Sequence, residues 1–362
     1  MKYLLLMLFA TLPLHAAQLH YFGSINYART NLHNKNITYD GIDNKWGASN
    51  LYTAGITVSQ KIDEKSSALI QVVHQKDDEE IDVDLVQYQR NIMGYRVRLG
   101  RQRLANLLTS EIIQVNALLP WLSAPAEVYD KTPIRSFTGV SLEREFESGF
   151  GFSLYGGDSQ DTLYEKDQIT TIDTDYIYGT RLNFHASDWT GYINYITTKV
   201  KVSREVSVPI AASTYGTYKL NYKLPDFEMY TAGTSFKKAG WLLNSEYIMS
   251  TSGNGVIRRQ DAAYISAGKY FTEKLLLLST FSTDFTRESI FLPSMQTSYA
   301  LNLNYNIDFN TVIKVGYTHV DVRQRTSVAP TPTGTSNLGY GFSPSTPSEN
   351  FDIFDAQLAF VF

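Results

Sequence analysis

From Leu19 onward the chain alternates. Leu19, Tyr21, Gly23, Ile25 and Tyr27 form one set, interleaved with His20, Phe22, Ser24, Asn26 and Ala28. The same period of two returns at Tyr52, Ala54, Ile56 and Val58, at Tyr230, Ala232, Thr234 and Phe236, and at Trp241, Leu243, Ser245, Tyr247 and Met249. It returns again at Tyr299, Leu301, Leu303, Tyr305 and Ile307, set against Asn302, Asn304 and Asn306. These runs extend over roughly ten residues, whereas strands of soluble sheets are usually about 5–6 long. One face is apolar with aromatic ends; the other carries Asn, Ser, Thr, Gly and charge. That pattern predicts an all-β fold, a transmembrane antiparallel β-barrel with lipid outside and water inside.

Connections between the runs alternate short and long. Tight turns are expected at Asp63-Glu64-Lys65, Met93-Gly94, Glu147-Ser148-Gly149, Ser187-Asp188, Lys238-Ala239-Gly240, Thr272-Glu273-Lys274 and Asp308-Phe309-Asn310. Longer connections fall near residues 30–50, 76–81, 104–134, 158–174, 200–228, 251–260, 287–296 and 323–350. Seven turns and eight loops join sixteen strands, an even number as in bacterial single-chain barrels. Ten of the prolines, Pro120, Pro125, Pro133, Pro209, Pro225, Pro293, Pro330, Pro332, Pro344 and Pro347, are assigned to the long connections, since a strand proline deletes a ladder hydrogen bond. The stretch 215–224 also alternates and is compatible with an extended loop hairpin.

The first residues read differently. Met1-Lys2 opens with a positive charge, Tyr3 to Phe9 is apolar, and Ala16 and Ala17 are small. Residues 1–16 are expected to be a secretory signal peptide and 17–362 the barrel. Beyond the signal, the longest apolar run is five residues, Leu358 to Phe362, too short for a membrane helix. At the other end of the chain, Phe354, Ala356, Leu358, Phe360 and Phe362 alternate to the last residue. A terminal Phe on an apolar strand face resembles the signal read by the outer-membrane barrel assembly machinery.

Composition narrows the function. The 362 residues carry 32 Lys plus Arg against 36 Asp plus Glu, net −4, which argues against nucleic acid as a partner. Cysteine is absent, excluding disulfides and thiolate metal sites. There is no Gly-x-Ser-x-Gly elbow and no phosphate loop, and His20, His33, His74, His185 and His319 are scattered. The reading is therefore not an enzyme and needs no cofactor. The acidic run Asp77, Asp78, Glu79, Glu80, Asp82, Asp84 reads as a solvated hairpin tip; a hard-cation site bridging to lipopolysaccharide or a neighbouring subunit is the alternative.

The charged residues carry the most information. Arg96 and Arg98 alternate with Tyr95, Val97 and Leu99, so lipid contact by the apolar set turns both arginines into the barrel. The reverse would cost about 2–4 kcal/mol for each near the bilayer midplane. Arg181 and Lys314 follow the same parity argument. The connection 104–134 contains Ile112, Ile113, Val115, Leu118, Leu119, Trp121 and Leu122, an apolar content suited to folding into the lumen and packing on the wall. It also carries Glu111, Glu127 and Asp130. Carboxylates on an inward loop facing wall arginines would polarise a narrow constriction.

Taken whole, the chain resembles an outer-membrane general porin with the third long loop as constriction. Leu99-Gly100-Arg101-Gln102 and Arg135-Ser136-Phe137-Thr138-Gly139-Val140-Ser141-Leu142 resemble the OprD-type (Opr) porins, which typically have eighteen strands. The resemblance implies passive diffusion of small hydrophilic solutes and ions, residence among outer-membrane lipid and lipopolysaccharide, and commonly a homotrimer. The rivals are an outer-membrane barrel enzyme of phospholipase type and a non-conducting structural or adhesive barrel.

Overall fold

The computed structural model describes residues 17–32, 42, 44–48, 52–75, 81–132, 134–165, 168–211, 214–253, 257–289, 294–324 and 349–362. The expected signal segment 1–16 lies outside the described residues. All strands join one antiparallel sheet that closes on itself.

Sixteen strands go round the barrel. They are β1 Ala17–Thr30, β2 Thr53–Lys61, β3 Ser66–Gln75, β4 Asp82–Ile92, β5 Tyr95–Arg103, β6 Ser136–Glu145 and β7 Phe150–Asp158, continued by Gln160–Glu165. Then follow β8 Gln168–Ala186, β9 Trp189–Ala211, β10 Thr214–Lys238, β11 Trp241–Ser252 and β12 Ile257–Tyr270. The last four are β13 Leu275–Ser289, β14 Ser294–Asn306, β15 Thr311–Gln324 and β16 Glu349–Val361. A two-residue segment, Gly47–Ala48, pairs with β1 at Tyr27 and Ala28. Closure is the pairing of β1 with β16, from Phe22 against Val361 to Thr30 against Ile353. Tyr21 and Phe362 exchange reciprocal backbone bonds of 2.8 and 2.7 Å below it.

Every expected tight turn is present, because the residues there supply the backbone geometry that hairpins need. Met93 and Gly94 have φ of 51° and 80°, and Ala239 and Gly240 have 49° and 77°, the left-handed pairs of two-residue hairpins. At the Asp63 turn the carboxylate accepts from Lys65 N and Ser66 Oγ, which holds its pKa below the usual carboxylate value.

Alternation maps onto faces as the pattern predicts. Leu19, Tyr21, Ile25 and Tyr27 are exposed on the outer wall, while Ser24, Asn26, Asn302 and Asn304 are buried inside. Outward aromatics pair near the turns, Trp189 with Phe236 and Phe150 with Phe184, at 4.6 and 5.2 Å between centroids. They pair again toward the loops, Tyr195 with Tyr230, Phe281 with Tyr299 and Tyr317 with Phe354, at 4.9–5.3 Å. Two such girdles are the interfacial belts of a membrane barrel.

Three expectations need correction. Residues 158–174 and 200–228 are largely strand rather than loop: β8, β9 and β10 are 19, 23 and 25 residues long. A strand needs only about 9–11 residues to cross a bilayer, so these three rise well above the rest of the rim. Their alternation continues with Ile172, Val200 and Val202, all buried. Pro209 and Pro225 consequently lie within strands. Both sit at register breaks: the ladder slips between Pro209 and Ala211, and between Thr198 and Val200 opposite Pro225-Asp226. Asp226 adopts φ of 53° there. A bulge leaves one N–H out of the ladder, which is where proline is tolerated. Finally, the inner face is not uniformly polar. Leu242, Ile248, Leu276 and Leu278 face inward and are buried.

A closed ladder satisfies the backbone inside hydrocarbon and unfolds cooperatively. Unboiled and boiled samples should therefore migrate differently in detergent electrophoresis; identical migration with a helical circular dichroism spectrum contradicts this fold.

Candidate functional site

The inward apolar residues have a partner in the connection 104–135. This segment folds as two 3-10 turns, Ser110–Ile112 and Asn116–Leu118, and one helical turn, α1 Ala126–Tyr129. Pieces this short are not stable alone; tertiary contacts hold them. Leu104, Leu107, Leu119, Trp121 and Val128 join one buried cluster with Ile196, Met229, Leu242, Ile248, Leu276 and Leu278 of the wall. The inner face of β8 to β13 is thereby a hydrophobic core made by the loop and the wall together.

Polar anchors fix the loop at both limbs. Glu246 of β11 is 2% exposed. Its carboxylate accepts from Leu108 N, Tyr129 Oη, Tyr192 Oη and Tyr264 Oη, at 2.6, 2.8, 2.5 and 2.8 Å. Four donors offset the desolvation of a buried charge, which otherwise costs several kcal/mol. Two of them come from the two limbs of the loop, so one side chain ties outgoing and returning segments together. Lys131 and Asp284 form a second anchor, a buried ion pair of 2.6 Å. Trp121 Nε1 donates to Ser266 Oγ at 2.8 Å, and Asn304 Nδ2 to Pro120 O at 2.7 Å.

The residues expected to line a constriction divide into two groups. Arg98 pairs with Glu111 at 3.0 Å and with Glu143 at 3.2 Å, and Arg96 pairs with Glu143 at 3.1 Å. The Arg96 and Glu111 side chains are 42% and 57% exposed, open to the lumen. The wall here also presents Gln89 and Asn91, the cross-strand partners of Arg98 and Arg96. Glu143, opposite Arg96 in the register of β5 and β6, was not foreseen.

Lys314, Arg181 and Glu127 behave otherwise. Lys314 is 1% exposed and donates to the carbonyls of Asn116, Leu119 and Trp121 at 2.6, 2.8 and 2.7 Å. Arg181 donates to Ala105 O at 2.6 Å and lies over the Tyr192 ring at 3.8 Å. Glu127, 2% exposed, accepts from Ser282 Oγ and Gln296 Nε2 at 2.6 and 2.9 Å. All three are engaged between loop and wall rather than open to the lumen. Asp130 is half-buried and ends α1, its N–H bonded to Ala126 O. Arg98 and Glu111 thus set a wall base against a loop acid, but Glu143, an acid on the wall, also stands beside the arginines, and Glu127 holds the loop to β13 and β14.

Glu246 and Glu143 were accessible to the parity argument, since each alternates with outward apolar residues: Leu243 and Tyr247 around one, Val140 and Leu142 before the other. At the rim of the long connections, Arg103 pairs with Asp84 and Arg101 with Asp161. Asp77 to Glu80 lie outside the described residues. In the expected assembly signal, Phe354, Leu358, Phe360 and Phe362 share the outward face of the closing seam; Phe360 and Phe362 are in ring contact at 5.7 Å.

No protein-family model matches the chain, and a sequence search finds no matching curated protein. Solved structures do match its fold. An anion-selective porin from Comamonas acidovorans superposes with a TM-score of 0.62 at 9% identity, over 96% of this chain and 100% of that one. A loop L8 deletion mutant of OmpT, an outer membrane protein of Vibrio cholerae, gives 0.61 at 11% identity, over 96% and 100%. The outer membrane channel DcaP of Acinetobacter baumannii gives 0.60 at 11%, over 95% and 97%. At these identities the likeness is one of fold: this chain has the fold of outer-membrane porin barrels.

Replacing Lys314 by Met removes three donors from three loop carbonyls. Each buried unmet group costs about 1–3 kcal/mol, so the loop is expected to loosen by on the order of 3 kcal/mol or more. Hydrogen exchange of amides 116–122, read by mass spectrometry, should accelerate at least tenfold while the barrel strands stay protected. Unchanged exchange contradicts the anchoring role.

Proposed function

We propose that the chain is an outer-membrane porin, a water-filled channel for passive diffusion of small hydrophilic solutes and ions. The supporting observation is the asymmetry of the lumen. The loop packs its apolar side chains against β8 to β13 and bonds onward to β14, β15, β16 and β1, whereas beside β4, β5 and β6 the wall keeps amides and paired charges. Solutes move down their gradient along that strip, with no cofactor and no covalent step. The sixteen-strand barrel fits a general porin; Opr-type porins typically have eighteen strands. The same reading places the barrel in the bacterial outer membrane, as one subunit of a homotrimer.

The paired charges set the expected selectivity. Two arginines and two glutamates cancel overall, so discrimination rests mainly on size. Each sign still acts locally, because in a narrow aperture the Debye length at 0.1 M salt, about 10 Å, spans the pore. A second reading is a lumen closed by the loop, which also reaches β1 through Asn116 Nδ2 to Ser24 Oγ, 2.7 Å. Single-channel recording in a planar bilayer separates the two: steady conductance is expected, and its absence in a heat-modifiable sample contradicts the porin reading.

Within that experiment, Arg96→Ser with Arg98→Ser should shift the zero-current potential in a salt gradient toward cations. Glu111→Gln with Glu143→Gln should shift it toward anions, and Glu127→Gln should leave it in place. Both shifts should shrink toward 1 M salt, where screening falls to about 3 Å. A potential indifferent to both double variants removes these residues from the conduction path.

A further inference from the structure

We propose that the outer wall of β16, β1 and β2 binds one phosphorylated acyl lipid, with Arg29 holding the phosphate and the groove below taking an acyl chain. The inference rests on the outer-membrane placement given above and goes beyond the channel.

Arg29 follows Leu19, Tyr21, Gly23, Ile25 and Tyr27 on the outward face of β1, at its long-loop end. Its guanidinium lies over the Trp46 ring at 5.3 Å and beside the Phe354 ring at 5.7 Å. Trp46 in turn stacks on Tyr27, 5.4 Å apart and 8° from parallel. Arg29 Nε is buried and meets no acceptor among the described residues, and Arg29 forms no ion pair among them. The nearby carboxylate is already committed: Asp352 accepts from Tyr317 Oη, His319 and Asn31 Nδ2 at 2.8, 2.8 and 2.7 Å. This guanidinium at the interfacial belt, stacked between rings, has no anion against it among the described residues. Guanidinium forks match phosphate oxygens two at a time, and aromatic stacking fixes the fork in advance.

Below Arg29 the same wall is indented. A cavity of about 440 Å³ is lined by Gly23, Ile25, Ala48, Tyr52, Ala54 and Phe360. Gly23 lets the Phe360 ring lie against the wall as one side of this cavity: a side chain on Gly23 would start 2.8 Å from Phe360 Cζ. Six residues separate Arg29 from Gly23, about 20 Å along a strand at ~3.3 Å per residue. That is the reach of an acyl chain descending from an interfacial headgroup into the outer leaflet. A charged headgroup site above an apolar trough is the shape of a lipid, and the unmet positive charge selects an anionic one.

The test uses the full purified barrel in detergent, with bisphosphorylated lipid A as probe and the same lipid stripped of its phosphates as control. Retention is read by native mass spectrometry. Arg29→Gln should weaken lipid A binding at least tenfold, and the phosphate-free lipid should bind the unaltered barrel no better than that variant. Ala54→Leu, which fills the groove, should weaken binding to a similar degree. Both variants should keep their heat-modifiable band and single-channel conductance, so that failure here is distinct from failure of the channel reading. Equal retention by Arg29→Gln, or equal binding of the phosphate-free lipid, overturns the proposal. So does a change in oligomer mass with lipid retention intact, because a second copy of the chain would then cover this face.

Discussion

Hydrocarbon offers no partner for a backbone N–H or C=O, so a strand in a bilayer must be flanked on both sides. In this chain that requirement is met by closing β1 on β16, and much else follows from the closure. A closed sheet has an inside that its own side chains cannot fill at sixteen strands. The chain fills part of that inside with its longest described connection. Residues 104–135 are drawn in because their leucines and Trp121 find Leu242, Ile248, Leu276 and Leu278 facing them from the wall. The barrel and the loop are thus one packing problem, solved on one side of the lumen.

Electrostatics then divides by location. Where the loop covers the wall, charges are buried, and each is surrounded: Glu246 by four donors, Lys314 by three carbonyls, Lys131 by Asp284. Breaking one such group leaves an uncompensated buried partner, a cost of about 3–5 kcal/mol for a buried ion pair. Where the loop leaves the wall, the exposed Arg96 and Glu111 pair with the more sheltered Glu143 and Arg98, and pairs with an exposed partner are worth about 0–1 kcal/mol. The first set holds the loop rigidly; the second contributes little to stability and is free to act on whatever passes.

Period two was enough to read the strand faces, and short turn sequences the hairpins, because each depends on local sequence. At Met93-Gly94 and Ala239-Gly240 a glycine between two alternating runs marks each hairpin. The roles of individual charges were not local. Parity turns Lys314 and Arg181 inward, yet it cannot say what stands opposite. The partners of Lys314 lie nearly two hundred residues earlier, at Asn116, Leu119 and Trp121. Glu127 looked like an aperture carboxylate until Ser282 and Gln296 were placed against it. The tall strands β9 and β10 were obscured by Pro209 and Pro225, whose disruption is absorbed by bulges that only the pairing register reveals.

The central claim is that the loop fills the lumen beside β8 to β13 and leaves it open beside β4, β5 and β6. The chain has no cysteine, so single thiols can be placed at will and probed by a charged, membrane-impermeant methanethiosulfonate added during bilayer recording. Gln89→Cys on β4 lies on the open side, and Leu278→Cys on β13 lies under the loop. The account predicts that the reagent reduces the current through the Gln89→Cys channel within seconds and leaves the Leu278→Cys channel unaltered. Equal modification of both positions, or modification of Leu278→Cys alone, would contradict it.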